Sequence, residues 1–269
     1  MGHDEIGCWS EVKLDIIRRY AKEYSKILSR QSPPFHHVYI DAFAGSGQHF
    51  SRTTRKMIPG SPYNALLVEP PFREYHFIEL NPEKVESLQG LAEGRTNVHV
   101  YHGDCNQILL EQVFPQVRYS DRRRGLCLLD PYGLHLEWSV IHTAGQMESI
   151  EIFLNFPTMD MNMNAIHRRP ENVKDNQAAR MTTFWGDESW KKIAYEPTPN
   201  LLGWEDIKVS NDQLAEGFRE RLKRVAGFRY VPEPLPMRNS RNSVAYYLFF
   251  ASHNDTGREI VEYIFKKYR

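Results

Sequence analysis

The chain has 269 residues and carries 34 basic and 34 acidic side chains, a formal net charge of zero. No global field draws in a polyanion, so any nucleic-acid binding has to rest on a local patch. Three scattered cysteines, Cys8, Cys105 and Cys127, are too few for a disulfide framework or a zinc cage, and no apolar run reaches the roughly 18–20 residues of a membrane span; the chain reads as a soluble cytoplasmic protein without a membrane partner.

Taken in order, Ser10 is placed to cap a helix over 11–29, with Val12, Ile16, Tyr20, Tyr24 and Ile27 on one face. Ser32-Pro33-Pro34 ends it, because proline lacks the amide donor and disfavours helix in the residue before it. The β-branched and aromatic run 37–41 predicts a buried strand that feeds directly into Ala42-Phe43-Ala44-Gly45-Ser46-Gly47. A polar stretch, 48–60, delays the next helix; it is either a lid over the glycine turn or a surface hairpin. Ser61-Pro62 then starts that helix, with Ser61 as cap and proline at the first helical position. Further strands are expected over 74–79, 97–102, 125–129 and 150–154, with helices over 82–92 and 139–147 between them.

Strands alternating with helices in this way predict an α/β fold, Rossmann-like, with a mostly parallel twisted sheet covered by helices on both faces. After Pro157 the rhythm breaks. Residues 158–208, rich in Met, Asn, Arg and Trp, read as an inserted cap. An amphipathic helix over 211–225 follows, then an antiparallel pair, 228–237 with 244–251, joined through Asn239-Ser240-Arg241-Asn242, and a closing helix over 257–268. With no repeat and no low-complexity linker, 1–269 reads as one domain with an N-terminal helix over 10–30 and an insertion.

Ligands in open α/β sheets sit beyond the carboxyl ends of the strands, near the point where strand order reverses. Four successive strand ends here carry Asp41 with Gly45 and Gly47, then Glu79, then Asp104, then Asp130-Pro131-Tyr132. Glycines at 45 and 47 let the backbone turn sharply and approach a ligand closely. Glu79 is placed to accept from two ribose hydroxyls, and Asp104 from an adenine amino group.

These residues carry a resemblance. Asp41 to Gly47 resembles the first motif of class I S-adenosylmethionine methyltransferases in its Phe-x-Gly-x-Gly form, with Glu79 and Asp104 where that superfamily places its next two acids. Asp130-Pro131-Tyr132-Gly133 is similar to the Asp-Pro-aromatic motif of enzymes that methylate exocyclic amines, including the tRNA guanine-N2 dimethyltransferases. Over nearly its full length the chain looks most like the three-Cys-motif partner family. The matching features are Trp9-Ser10 with Lys13, Asp41 to Gly47, Gly60-Ser61-Pro62, Phe77 to Asn81, Asp130 to Gly133 and Tyr247 to Ala251. The resemblance implies S-adenosylmethionine as cofactor, with Asp41, Phe43, Gly45, Gly47, Glu79, Asp104 and Cys105 lining its site. It also implies a radical-SAM-like protein as partner; the family's name refers to cysteines in that neighbour, not to those here.

Methyl transfer from a sulfonium is an in-line displacement, so the enzyme chiefly aligns the nucleophile and excludes water. An exocyclic amine is a poor nucleophile because its lone pair is delocalised into the ring. The Asp130 carboxylate and the Pro131 carbonyl accept from the amine hydrogens and turn that lone pair outward, and Tyr132 offers a stacking face worth roughly 1–3 kcal/mol per base. Asn155 borders the same pocket; Lys13 either reaches the cofactor side from the first helix, as the resemblance implies, or is a plain solvated lysine, the favoured reading.

For a nucleic-acid substrate the sequence offers Arg122 to Arg124, Arg168-Arg169, and Arg219, Arg221, Lys223 and Arg224, with Trp185, Trp190 and Trp204 near basic residues. These tryptophans fit a grip on single-stranded bases and equally a small core under the cap. A nicotinamide oxidoreductase is disfavoured because the third glycine of its fingerprint falls on Phe50. A non-catalytic subunit that holds the cofactor for its partner remains the alternative to an enzyme. No metal-binding spacing appears among the eleven histidines, and a phosphate-binding loop is absent.

Overall fold

The computed structural model describes residues 5–200, 203–239 and 242–269; Ser240 and Arg241, in the expected link between the last two strands, lie outside them. Helix α1 spans Cys8–Ser29, one turn longer at its start than the sequence predicts. Trp9 packs against the core and extends the apolar stripe backwards, so Gly7 takes the cap position and Ser10 lies inside the helix without capping it.

Seven strands make the central sheet: β1 (His36–Asp41), β2 (Glu74–Glu79), β3 (Val98–His102), β4 (Arg123–Leu129), β5 (Ile150–Phe156), β6 (Leu235–Arg238) and β7 (Val244–Ala251). Their order is β6-β7-β5-β4-β1-β2-β3. Strands β1 to β5 are mutually parallel, whereas β7 runs antiparallel to both β5 and β6. The chain thus winds outward from β1 to one edge, returns beside β1 as β4 and winds to the other edge. This is a Rossmann-like α/β fold with a mostly parallel sheet and helices on both faces. The reversal falls between β1 and β4, where ligands of such sheets bind.

Alternation along each strand sends side chains to two separate cores. Val38, Ile40, Cys127, Leu129, Ile152 and Leu154 face one side, where helix α4 (Trp138–Met147) and α6 (Asn211–Arg224) pack. Tyr39, Phe77, Leu126, Leu128, Phe153 and Phe250 face the other, under α1, α2 (Ser61–Leu66), α3 (Pro82–Ala92) and α7 (Asp255–Phe265). Strand β4 starts two residues ahead of its predicted bound and β5 ends two residues beyond its own, so Arg123, Arg124, Asn155 and Phe156 belong to strands. Pairing of these strands with their neighbours supplies backbone hydrogen bonds that propensity does not foresee.

The 48–60 stretch is a hairpin, Gln48–Ser51 against Met57–Pro59, and Glu5–Ile6 joins it as a third strand. Between β5 and α6, residues 158–208 form a helical turn, helix α5 (Asp175–Trp185), a short helix Trp190–Ala194, and a hairpin of Tyr195–Asn200 with Gly203–Lys208. The inside of this insertion is continuous with the sheet's own core. Phe184 and Trp185 meet Phe218 of α6, and Phe218 meets Phe156 and Phe249 of the sheet. Ser210 caps α6 reciprocally with Gln213, satisfying two orphan amide groups at its start. Among the described residues no helix is long and apolar enough to cross a membrane.

Candidate active site

The carboxyl ends of β1, β2 and β3 are bound to one another by the groups that the sequence singles out. Gly45, at φ +64°, points its amide at Glu79 Oε2, 2.8 Å away. Glu79 Oε1 accepts from the amides of Leu80 and Asn81 at 3.0 and 2.9 Å. The Gly103 amide in turn donates to the Glu79 carbonyl at 3.1 Å, which places the Asp104 turn beside it. Glu79 therefore ties the glycine turn to its own strand end; Oε1 is filled by its two amides, and Oε2 keeps a second lone pair for a ligand.

The two glycines differ in what they do. Gly45 is itself buried, and a Cβ there would meet only His49 Cε1, at 3.8 Å, so there is room beside its Cα for a small group. A Cβ at Gly47 (φ +80°) would overlap Leu91 of α3. Gly47 is there for packing and turn geometry, and Gly45 is the residue whose bareness leaves room for a ligand. Phe43 is half-buried against the core.

Asp104 is exposed and caps the helical turn Cys105–Ile108, with Oδ1 accepting from Asn106 at 2.8 Å and Gln107 at 3.3 Å. The Cys105 side chain is buried in the core, and burial pushes its thiol up to about 12, which leaves it an unreactive packing group. Asn106, which the sequence reading passed over, is buried and bridges two loops: its amide nitrogen donates to the His135 carbonyl at 3.0 Å and its oxygen accepts from the Glu137 amide at 2.8 Å. No motif marks it, because its partners lie about thirty residues away in a loop of unknown path.

Asp130 sits just past β4, across the switch point from Asp41. Its Oδ2 pairs with Lys13 Nζ and its Oδ1 accepts from Asn155 Nδ2 at 2.9 Å. Lys13 overturns its reading as a solvated lysine: it is 7% exposed, reaches in from α1 and also lies over the Tyr246 ring at 5.5 Å. The helix buries its apolar stem and delivers its charge to the acid. Asp41 is fully buried at the end of β1, with Oδ2 lacking a partner and Oδ1 accepting weakly from the Phe43 amide at 3.3 Å. Burial pushes its carboxyl up to about 7, tempered by the Ser61 hydroxyl and the Phe43 amide and reinforced by the Asp130 charge. Ser61, expected to cap α2, makes no cap hydrogen bond.

Pro131 is buried and Tyr132 is 90% exposed, standing clear of the core beside Asp130. Gly133 follows at φ +67°, and a Cβ there would press on Asp160 Oδ2 at 3.0 Å. That oxygen is buried without a hydrogen-bond partner, so the first turn after β5 brings another acid to this rim. Met159 and Met163 of the same segment are exposed.

Most of the basic runs are committed elsewhere. Arg123 pairs with Glu74, and Arg124 stacks on Tyr119 and Phe35 at the amino ends of the strands, away from Asp130. Arg219 pairs with Glu216, Arg221 with Asp187, and Lys223 and Arg224 with Glu220. Trp185 and Trp190 are buried core residues, while Trp204 is 75% exposed on its hairpin. Among the described residues no group of three or more His, Cys, Asp or Glu is arranged to hold a metal ion.

No family model and no curated protein matches the chain. Among solved structures, protein LPL1258 from Legionella pneumophila, described under DUF519, is similar with a TM-score of 0.55 at 12% identity, over 95% of this chain and 91% of its own. A SAM-dependent methyltransferase from Leishmania major is similar with a TM-score of 0.41 at 10% identity, over 89% of this chain and 72% of its own. The likeness to the Legionella protein is one of fold.

Proposed function

We propose that the chain is an S-adenosylmethionine-dependent methyltransferase whose acceptor is an exocyclic amine of a nucleobase. The observation that carries this reading is the carboxylate of Asp130, held at both oxygens beside the switch point of the sheet, two residues before an aromatic ring that faces solvent. The uncrowded turn at Gly45, with Glu79 and Asp104 on the adjoining strand ends, is compatible with an adenosine-bearing cofactor. Glu79 would take a ribose hydroxyl at Oε2, and Asp104 the adenine amino group. When bound, S-adenosylmethionine supplies an electrophilic methyl group.

The chain's own residues then do four things. Lys13 and Asn155 fix the rotation of the Asp130 carboxylate, each occupying one lone pair and leaving others for the acceptor. Asp130 and the Pro131 carbonyl accept from the amine hydrogens and turn the nitrogen lone pair toward the methyl carbon. Tyr132 stacks on the base. Asp130, which is partly exposed, would take the proton that the acceptor nitrogen loses once methylated, with S-adenosylhomocysteine as the other product, and pass it to solvent.

The test is incubation with a radiolabelled methyl donor and total cellular RNA, DNA and protein, followed by fractionation of the label. Label in nucleic acid, abolished by Asp130→Ala while calorimetry shows unchanged donor affinity, is expected. Label confined to protein, or donor binding lost with Asp130→Ala, overturns the assignment.

A further inference from the structure

At the opposite pole of the sheet from Asp130, a cavity of about 600 Å³ opens between α1, the starts of β4 and β5, and the first turn of α7. Its floor is Glu151, which is buried and accepts from Tyr20 Oη and from Ser252 Oγ, the latter at 2.9 Å. Burial pushes this carboxyl up to about 7, against the hydrogen bonds from the two hydroxyls and the more distant Arg124 charge. Beside it Tyr24, 7% exposed, has a buried hydroxyl with no hydrogen-bond partner. Such a group is destabilising unless something satisfies it.

Charge around this floor is unbalanced in a particular way. Among the described residues no cation lies within ion-pair distance of Glu151, and neither Arg124 nor Arg229, both lining the cavity, pairs with a carboxylate; Arg124 Nη1 donates only to backbone, at 2.8 Å to the Arg123 carbonyl. The Arg124 guanidinium is held flat, 3.7 Å from the Tyr119 ring centroid and 4.6 Å from that of Phe35. Gly257 lets α7 come this close: a Cβ there would stand 2.6 Å from Tyr20 Oη and 3.1 Å from Glu151 Oε1. A simple anion would satisfy the arginines and face Glu151; a simple cation would do the reverse. A molecule carrying both charges on neighbouring atoms satisfies both.

We propose that this cavity binds a free α-amino acid with a large apolar side chain, its ammonium on Glu151 and the Tyr24 hydroxyl, its carboxylate on Arg124, and its side chain against Ile27, Phe35 and Tyr119. The site is separate from the cofactor rim and stands whether or not the methyltransferase reading does.

Calorimetric titration of the full chain with L-phenylalanine tests it, repeated with S-adenosylhomocysteine present so that binding at the cofactor rim is excluded. Saturable binding is expected, with 2-phenylethylamine and 3-phenylpropionate, which each lack one charge, weaker by about tenfold or more. Arg124→Gln should bring L-phenylalanine down to the level of the amine. Tyr24→Phe removes an unsatisfied hydroxyl, so it leaves thermal stability equal or higher while weakening L-phenylalanine; a purely structural tyrosine would not split the two readouts. Absence of saturable binding by L-phenylalanine, L-tyrosine and L-leucine, equal binding of the single-charge analogues, or unchanged affinity in Tyr24→Phe overturns the proposal.

Discussion

Replacing Lys13 by methionine keeps the length and packing of the stem and removes only the charge from Asp130. Two unit charges about 4 Å apart attract by about 4 kcal/mol at an effective dielectric near 20. Against this stands the desolvation of the ammonium, which is nearly complete here, and the partial screening of Asp130, whose side chain is 27% exposed. The difference leaves a coupling of about 1–3 kcal/mol, larger than the roughly 0–1 kcal/mol of a surface pair. Urea unfolding of wild type, Lys13→Met, Asp130→Asn and the double variant measures it as a double-mutant cycle. The same lysine orients the acid, so Lys13→Met should also lower methyl transfer by about tenfold or more while donor affinity stays within about twofold. A coupling below about 0.5 kcal/mol together with undiminished transfer would refute the claim that α1 contributes to the site.

Stability should fall as pH rises through the weakly acid range. Asp41 and Glu151 both hold their protons in the folded protein up to about 7, whereas the unfolded chain releases them near the ordinary 3.8 and 4.5. The folded state thus binds more protons across that window, and the cost of ionising each buried acid is of the order of 3–4 kcal/mol at most. Asp41→Asn and Glu151→Gln should flatten the decline, read as urea midpoints at about pH 5 and about pH 8; a midpoint that climbs in wild type contradicts the burial argument. At the glycine turn, Gly47→Ala should destabilise by about 1–3 kcal/mol through overlap with Leu91, whereas Gly45→Ala should cost about 1 kcal/mol and chiefly weaken donor binding. Thermal melts and calorimetry separate the two, and identical effects would dissolve the distinction. Tyr132→Ala, at a ring that is 90% exposed, should change stability by no more than about 0.5 kcal/mol while raising KM for the acceptor; an unchanged KM removes the stacking role.

Much of the scaffold was legible because its signals are local. Buried parallel strands are continuous apolar runs, and those at 37–41, 74–79 and 97–102 were found within one residue of their bounds. Helix α3, opened by Asn81 and Pro82, matched its predicted range. Misplaced bounds share a cause: β4 and β5 run on through polar residues because neighbouring strands offer them partners, and α1 starts early because Trp9 finds a core to pack on. The tryptophans of the insertion illustrate the same limit. Composition allowed them to grip bases or to fill a core, and packing against Phe218 assigns Trp185 to the core.

The glycine turn and the acids at successive strand ends followed from the amino-acid order alone, since strand–turn–helix units in a parallel sheet must deliver those ends to one edge. What the order could not supply is which distant side chains meet there. That Lys13, over a hundred residues before Asp130, loses its water to pair with it, and that Asn155 takes the other oxygen, depends on α1 lying across the sheet beside β4 and β5. The cavity under Glu151 is of the same kind, assembled from α1, two strands and α7. Local pattern determines elements and their edges; charge pairing and burial belong to contacts between elements, and only the folded chain decides those.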